Sequence, residues 1–288
     1  MNSTTVVSWS DASFLPVLKM WSRHYRRTRP DRMPVVIYTK QDDALEPQRR
    51  ACAPCKVVAL PRERGEAMLR WRLRTVVHAL SGGGGGGGAE RIFATDLDAI
   101  WWRDPLAPLL PHLPRYEFIG SQSASSGKWP LHVWRRWDVN FTFCLGWYVA
   151  TRALLPIFEA SLAATTRCRG EVQCNDQTAV NEQLVRAGLD GPDHWRRLPP
   201  GDAPLEWAAT LLPPGLPADP RGGGGRSDGG VGASIAAVRV AAVSRGFVCR
   251  GNCDKPSGGG AAVKHVMGTL GVAEHKLKAV ARVLPKLS

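Results

Sequence analysis

The stretch RIFATDLDAIWWRDPL, residues 91–106, decides the fold of this chain. An apolar run at 91–95 has the composition of a buried strand, and two aspartates, Asp96 and Asp98, follow it directly. Side chains two residues apart on an extended chain face the same side. In open α/β sheets, ligands bind at the carboxyl ends of strands, and two carboxylates there suit one Mg²⁺ or Mn²⁺. The stretch therefore predicts a metal site at the edge of a sheet.

A bare Asp-x-Asp pair is more often structural, with one aspartate capping a turn and the other pairing with an arginine. Here the pair follows a clean apolar strand, and Arg103, Asp104 and Pro105 mark a turn soon after it. This context favours the metal site over the structural interpretation.

Strand-like and helix-like segments alternate along the chain. The alternation predicts a single α/β domain over 1–288, with a mostly parallel sheet flanked by helices. Two glycine-rich segments, 81–89 and 221–233, lack the pattern of a phosphate loop and are interpreted as flexible insertions, and 196–234 is expected to be a long loop. The predicted strands are 4–9, 34–39, 56–60, 91–95, 116–121 and 141–150, and the predicted helices are 12–27, 64–80, 153–165 and 175–188.

Composition narrows the function classes. The chain has 288 residues, 44% of them hydrophobic, which is enough for a sizeable core. Its net charge of +13 favours anionic partners such as nucleic acid, a membrane surface or phosphorylated substrates, without choosing among them. No apolar run is long enough for a transmembrane helix, and the first residues lack the features of a signal peptide. We therefore expect a soluble domain, or the soluble part of something longer.

The seven cysteines include three close pairs, CAPC, CRGEVQC and CRGNC. Zinc would use two such pairs as four thiolates, but the spacings differ and the pairs are scattered. Short-loop disulfides are favoured for Cys168–Cys174 and Cys249–Cys253, and they would imply an oxidising lumen. Cys144 stands in an apolar run and is expected to be a buried thiol outside these pairs.

The segment FATDLDAIWWRDPL resembles the strand, Asp-x-Asp pair and Arg-Asp-Pro turn of the nucleotide-diphospho-sugar transferase family. That family has the glycosyltransferase-A fold, which is Rossmann-like, and it includes plant cell-wall enzymes of glycosyltransferase family 77. The resemblance implies a UDP- or GDP-sugar donor, Mn²⁺ or Mg²⁺ held by Asp96 and Asp98, and retaining transfer to a glycan or glycoprotein acceptor. It also implies the Golgi lumen as the location, and no nucleic-acid partner.

Other blocks in the family's order add residues to the implied site. VVSWSDASFLPVLKM is similar to the first strand and helix, which makes Asp11 a nucleotide contact. RWRLRTVVHAL is similar to the helix that carries a basic residue facing the diphosphate, and Arg72 takes that place where the family has lysine. The family's Asn-Ser-Gly triplet is here Cys144-Leu145-Gly146, so only Gly146 keeps the close backbone approach to the donor.

Two further blocks resemble the later part of the family pattern. CNDQTAVNEQL is similar to its Asp-Gln helix, which places Asp176 and Gln177 at the sugar or acceptor, although an aspartate at a helix start is usually only a cap. VKHVMGTLGVAEHKLKAV is similar to the closing segment, which makes His265 a further metal ligand, although a lone histidine is more often a surface or core residue. No catalytic base is assigned.

Two other functions compete with this hypothesis. A haloacid dehalogenase-type phosphatase also carries Asp-x-Asp after a strand, but Ala99-Ile100 replace its usual continuation, and its second motif is approached only by Gly201-Asp202 in a proline-rich segment. A non-catalytic basic module that binds RNA or polysaccharide explains the charge and the tryptophans, but not the ordered blocks around the aspartates. A degenerate transferase is a third possibility, because the Asn-Ser-Gly triplet is altered.

Overall fold

A nine-stranded mixed sheet forms the centre of the protein in the residues that the computed structural model describes. These residues are 4–28, 33–40, 45–83, 89–101, 103–124, 141–165, 176–189, 195–211, 237–244, 247–250 and 263–265. The strands are β1 (Thr4–Trp9), β2 (Val35–Thr39), β3 (Lys56–Ala59), β4 (Arg91–Thr95), β5 (Ala99–Trp101), β6 (Phe118–Ala124), β7 (Phe141–Thr151), β8 (Trp195–Arg197), β9 (Leu205–Leu211), β10 (Val238–Val243), β11 (Val248–Arg250) and β12 (Val263–His265). The α-helices are α1 (Leu15–Thr28), α2 (Leu45–Cys52), α3 (Met68–Ser81), α4 (Leu155–Thr165) and α5 (Asp176–Leu184).

The order of strands in the large sheet is β3-β2-β1-β4-β7-β6-β10-β9-β8. β1 to β4 are parallel, β7 and β9 run the opposite way, and β6, β10 and β8 run in the direction of β4. The chain order reverses between β1 and β4, so this is the switch point where open α/β sheets bind ligands. β4 therefore delivers the Asp-x-Asp pair to the place in the sheet where a site is expected.

Helices cover both faces of the sheet. α1 and α2 pack on one face, where α1 buries Val17, Leu18, Trp21 and Tyr25 at helical spacing. α3, α4 and α5 pack on the other face, against apolar side chains of β4, β6 and β7. α3 ends at Gly82, whose φ of 95° is the left-handed conformation that glycine adopts without steric cost. A second sheet, β11-β12-β5, begins directly after Asp98.

The predicted fold class is confirmed, and β1 and β4 have the predicted bounds. The expectation of one long loop over 196–234 is wrong in its first part, because β8 and β9 pair there as an antiparallel edge. Helix α2 and strand β10 were not predicted from the sequence. Residues 84–88 and the glycine-rich segment 221–233 lie outside the described residues. No helix among the described segments has the length and apolar character needed to cross a membrane.

The cysteine predictions have mixed outcomes. A disulfide joins Cys52 to Cys55, the pair for which no pairing was favoured from the sequence. Cys144 is buried, as the apolar run around it predicts. The side chains of the other four cysteines, Cys168, Cys174, Cys249 and Cys253, lie outside the described part of the chain.

Candidate active site

The Asp-x-Asp pair forms a tight turn between β4 and β5. The backbone N–H of Asp96 donates to the carbonyl of Gly146 on β7 at 2.8 Å, and the carbonyl of Asp96 accepts from the N–H of Ala99 at 3.0 Å. Asp98 is only 2% exposed. The turn is therefore fixed by backbone bonds on both sides, and it holds both aspartates at the carboxyl end of β4. Gly146, expected to approach the donor, contacts the site through this carbonyl.

Arg72 on α3 joins the Asp-x-Asp turn to the start of α5. Its Nη2 lies 2.9 Å from Oδ1 of Asp96 and donates at 3.1 Å to the carbonyl of Leu145. Its Nε lies 3.4 Å from Oδ2 of Asp176, an ion pair rather than a well-aligned hydrogen bond. The guanidinium also stacks 4.6 Å from the ring centre of Trp9 at the end of β1. One largely buried arginine thus connects four elements of the site.

The pKa shifts reflect this shared arginine. Burial disfavours the charge of Arg72, but the carboxylates of Asp176, Asp96 and Asp98 outweigh burial and raise its pKa above the ordinary value. Burial also raises the pKa of the Asp176 carboxyl above 3.8, with Arg72 opposing the shift and Asp96 reinforcing it. Three carboxylates therefore compete for one guanidinium in a poorly solvated place.

Tyr148 of β7 lies beside this group of charges. It is 1% exposed and is paired with Ala94 in the register of β4 and β7. Burial raises the pKa of its phenol far above 10, with Arg72 opposing the shift and Asp176 and Asp96 reinforcing it. Tyr148 gives no signal in the sequence, because an aromatic residue in an apolar strand is indistinguishable from a core residue.

Asn181 fixes the position of α5 and was also missed from the sequence. Its side-chain amide accepts from the N–H of Phe143 at 2.9 Å, and donates to the carbonyls of Phe143 at 2.9 Å and Gln177 at 2.6 Å. The Asn181 side chain therefore bonds both backbone groups of Phe143 on β7. Through Gln177 it also holds the first turn of α5, which includes Asp176, against the sheet. The available signal was a polar residue one helical turn after Gln177 in DQTAVN.

Asp11 caps the 3₁₀ turn Ala12–Phe14 that follows β1. Its Oδ1 accepts from the backbone N–H groups of Ser13 and Phe14, and its Oδ2 lies 3.2 Å from Nζ of Lys40, which follows β2. Burial acts to raise the pKa of Asp11, but the Ser13 hydrogen bond and Lys40 outweigh it and lower the pKa below 3.8. Asp11 is thus an ionised cap on the same edge of the sheet as Asp96.

His265 enters the site region through backbone pairing. It lies on β12, and the antiparallel register of β12 with β5 places it opposite Ala99, the residue after Asp98. Its side chain lies outside the described residues. Gln177 follows Asp176 on α5 and is 8% exposed, and its backbone N–H donates to the Asp176 carboxylate at 2.8 Å.

The donor chemistry of the edge fits a hard divalent cation. Asp96 and Asp98 supply carboxylate oxygens, the ligand type that Mg²⁺ and Mn²⁺ prefer, and phosphate oxygens commonly complete such shells. In the described part of the chain, no group of three or more His, Cys, Asp or Glu side chains is arranged to hold a metal ion. Asp202, the second aspartate of the phosphatase alternative, pairs with Arg115 at 3.1 Å and lies beside β9, four strands from β4.

Comparison with known proteins supports the fold. No protein-family model matches the sequence, and no curated protein sequence matches it either. The structure is similar to a crystal structure of the galactosyltransferase LgtC in complex with donor and acceptor sugar analogues, with a TM-score of 0.53 and 10% sequence identity, over 98% of this chain and 96% of that chain. The chain therefore has a glycosyltransferase-A-like fold, as the Asp-x-Asp segment and its resemblance predict.

Proposed function

We propose that this protein is a metal-dependent glycosyltransferase that uses a nucleotide diphosphate sugar as donor. The observation that carries the proposal is the place of Asp96 and Asp98 at the carboxyl end of β4, where Arg72 pairs with both Asp96 and Asp176. Two carboxylates at this edge of the sheet are ligands of the type that a hard divalent cation prefers. The neighbouring fold, that of a galactosyltransferase, supports sugar transfer as the reaction class.

In this proposal, Asp96 and Asp98 hold Mn²⁺ or Mg²⁺, with His265 as a further ligand. When bound, such a cation would supply positive charge that offsets the charge developing on the leaving nucleotide diphosphate. Arg72 keeps the carboxylate of Asp96 oriented through its 2.9 Å contact and adds positive charge close to the diphosphate. Its ion pairs with Asp96 and Asp176 support an orienting role in addition to phosphate neutralisation.

The remaining site residues take roles implied by the family resemblance. Asp11 contacts the nucleotide, Gly146 lets the donor approach the backbone, and Asp176 and Gln177 at the start of α5 face the donor sugar or the acceptor. We extend the retaining outcome, a glycan or glycoprotein acceptor, a hexosyl or pentosyl donor and a Golgi location to this chain on the same basis. No protein base is needed for same-face attack, and none is proposed.

Donor hydrolysis tests the proposal. The protein would be incubated with a panel of UDP- and GDP-sugars, with Mn²⁺ or with EDTA, and free nucleotide diphosphate would be measured together with the thermal shift. We expect Mn²⁺-dependent release from one donor, lost in the D96N/D98N double variant and kept in D202N, whose carboxylate pairs with Arg115. If no donor with Mn²⁺ shifted the melting temperature or released nucleotide, the transferase assignment would be wrong and the basic binding module would be favoured.

A further inference from the structure

Glu206, at the start of β9, lies on the same edge of the sheet as the Asp-x-Asp pair. β4 and β6 are both antiparallel to β7, and β10 is parallel to β6. β10 and β4 therefore run in the same direction. β9 is antiparallel to β10, with Leu205 paired to Val243 at the end of β10. The start of β9 is therefore at the edge where β4 ends, so Glu206 shares that edge with the proposed donor site.

The Glu206 carboxylate is held in a fixed orientation by Gln122 of β6. The Nε2 of Gln122 donates at 2.7 Å to Oε2 of Glu206 and at 3.0 Å to the carbonyl of Val243, so both amide hydrogens are used. Gln122 is 5% exposed, whereas the Glu206 side chain is 30% exposed. A buried amide thus orients a carboxylate that is accessible to a ligand.

The other oxygen of Glu206 retains capacity to accept hydrogen bonds. Oε1 lies 3.8 Å from Nη2 of Arg197, which is too long for a hydrogen bond, and the Arg197 side chain is 74% exposed. Glu206 and Arg197 also line a cleft of about 500 Å³, together with Ser244 and the prolines Pro199, Pro200 and Pro204. A cleft of this size falls in the range of small-molecule sites.

The separation from the Asp-x-Asp pair suits a second substrate. Gln122 pairs with Phe143 on β7, and Gly146 of the same strand accepts from Asp96. β9 is four strands from β4, and at a strand spacing of about 4.8 Å the start of β9 lies on the order of 20 Å from Asp96. This distance leaves room for a donor sugar and an acceptor sugar between the metal-binding carboxylates and Glu206.

We propose that Glu206, oriented by Gln122, binds hydroxyl groups of a neutral glycan acceptor, an inference that rests on the proposed function. The carboxylate accepts hydrogen bonds from sugar hydroxyls, and the guanidinium of Arg197 donates to them. Because the two side chains carry opposite charges, the pair favours an uncharged polyhydroxyl ligand over an anionic one. Glu206 is a binding residue here and takes no part in proton transfer.

The test combines turnover with direct binding. The acceptor probes are the methyl glycosides of glucose, galactose, xylose and arabinose, measured by saturation-transfer NMR and by the glycoside-dependent release of nucleotide diphosphate. In E206Q we expect the KM and Kd of the preferred glycoside to rise at least tenfold, while nucleotide release from donor alone stays within twofold. The control E117Q, which alters a carboxylate paired with Arg239 at the opposite edge, should match the wild type.

A second variant covers the case in which E206Q does not fold. Arg197 is largely exposed, so R197Q should keep the melting temperature and raise the glycoside KM about threefold. Unchanged glycoside binding in both variants, or no glycoside binding by the wild type, would overturn the inference. Glu206-dependent glycoside binding without any nucleotide release would instead refute the proposed transferase activity, while leaving a glycan site at Glu206.

Discussion

Two arginine–carboxylate clusters lie next to each other on α3 and differ in charge balance. The loop cluster consists of Glu63, Glu66, Arg70 and Arg74. The Glu66 carboxylate, 1% exposed, is held at 2.7 Å and 3.0 Å by Arg74 and approached at 3.7 Å by Arg70. Glu63 lies 3.6 Å from Arg70. Two carboxylates meet two guanidinium groups, and Arg62 adds a third guanidinium on the backbone carbonyl of Glu66, so the carboxylates of the loop cluster are fully matched by positive charge.

The edge cluster consists of Arg72, Asp96, Asp98 and Asp176, and its balance is the reverse. One arginine, two residues from Arg70 and Arg74, faces three carboxylates. The loop cluster anchors the segment before α3, and its carboxylates are paired with guanidinium groups. In the edge cluster, three carboxylates act on one guanidinium in a place with little water, and a bound divalent cation would add positive charge there. The comparison separates a structural cluster from a ligand site without reference to any relative.

Removing one carboxylate from each cluster should separate their roles most strongly. We expect D96N to lower metal-dependent nucleotide release by about 10²–10³-fold, because a ligand of the cation that would stabilise the leaving diphosphate is lost. E66Q should stay within threefold of the wild type. Steady-state rates and Mn²⁺ titrations of both variants check this. Similar losses of activity in the two variants would contradict the assignment of the edge cluster as the site.

Arg72 offers a test of the charge balance in the edge cluster. R72M leaves buried carboxylates without their guanidinium, which should cost about 3–5 kcal/mol of unfolding free energy in EDTA. Added Mn²⁺ should recover part of that loss, since the cation binds the same carboxylates in the folded state. R74M serves as control, and its loss should not respond to Mn²⁺. Urea unfolding with and without the metal measures both, and equal responses would remove the distinction between the clusters.

A substitution of Asn181 tests whether the edge cluster depends on the position of α5 against the sheet. N181D keeps the side-chain shape but loses the two donors to the carbonyls of Phe143 and Gln177, which should cost about 1–3 kcal/mol. Because Asn181 holds Gln177, the residue after Asp176 in the first turn of α5, we expect kcat to fall at least tenfold while the donor KM stays within threefold. A variant that loses stability with unchanged kcat would show that Asn181 is structural only.

Glu66 gives the matching stability measurement for the loop cluster. E66Q removes the charge that Arg70 and Arg74 share, and it should cost about 1–3 kcal/mol, because a hydrogen bond to a charged group is weakened in a nearly buried place. The loss should be the same with Mn²⁺ and with EDTA. A metal-dependent loss in E66Q would show that the two clusters are coupled through α3.

The sequence was sufficient for the parts of this comparison that rest on local pattern. The apolar strand and the i, i+2 spacing of Asp96 and Asp98 locate the edge, and the resemblance supplied Arg72 and Asp176. The sequence could not show which side chains from distant parts of the chain contact one another. Arg72 meets Asp176 only because α3 and α5 pack side by side on one face of the sheet, and Asn181 meets Phe143 only through that packing. Glu206 was missed for the same reason, since strands β8 and β9 were expected to be loop.

The smallest predicted effect concerns pH and has an unusual sign. Burial raises the pKa of Asp176 above 3.8, so the folded state favours its protonated form, and the stability this group contributes is present below pH 3.8 and lost as pH rises through the folded pKa. D176N cannot ionise and escapes that loss. The unfolding free energy of D176N relative to wild type should therefore increase from pH 4 to pH 7.5, although the variant loses transfer activity. Urea unfolding across this range in EDTA measures the difference. D202N is the control, because Asp202 is paired with Arg115 at the periphery. A flat or falling difference would mean that Arg72 compensates the burial of Asp176 fully.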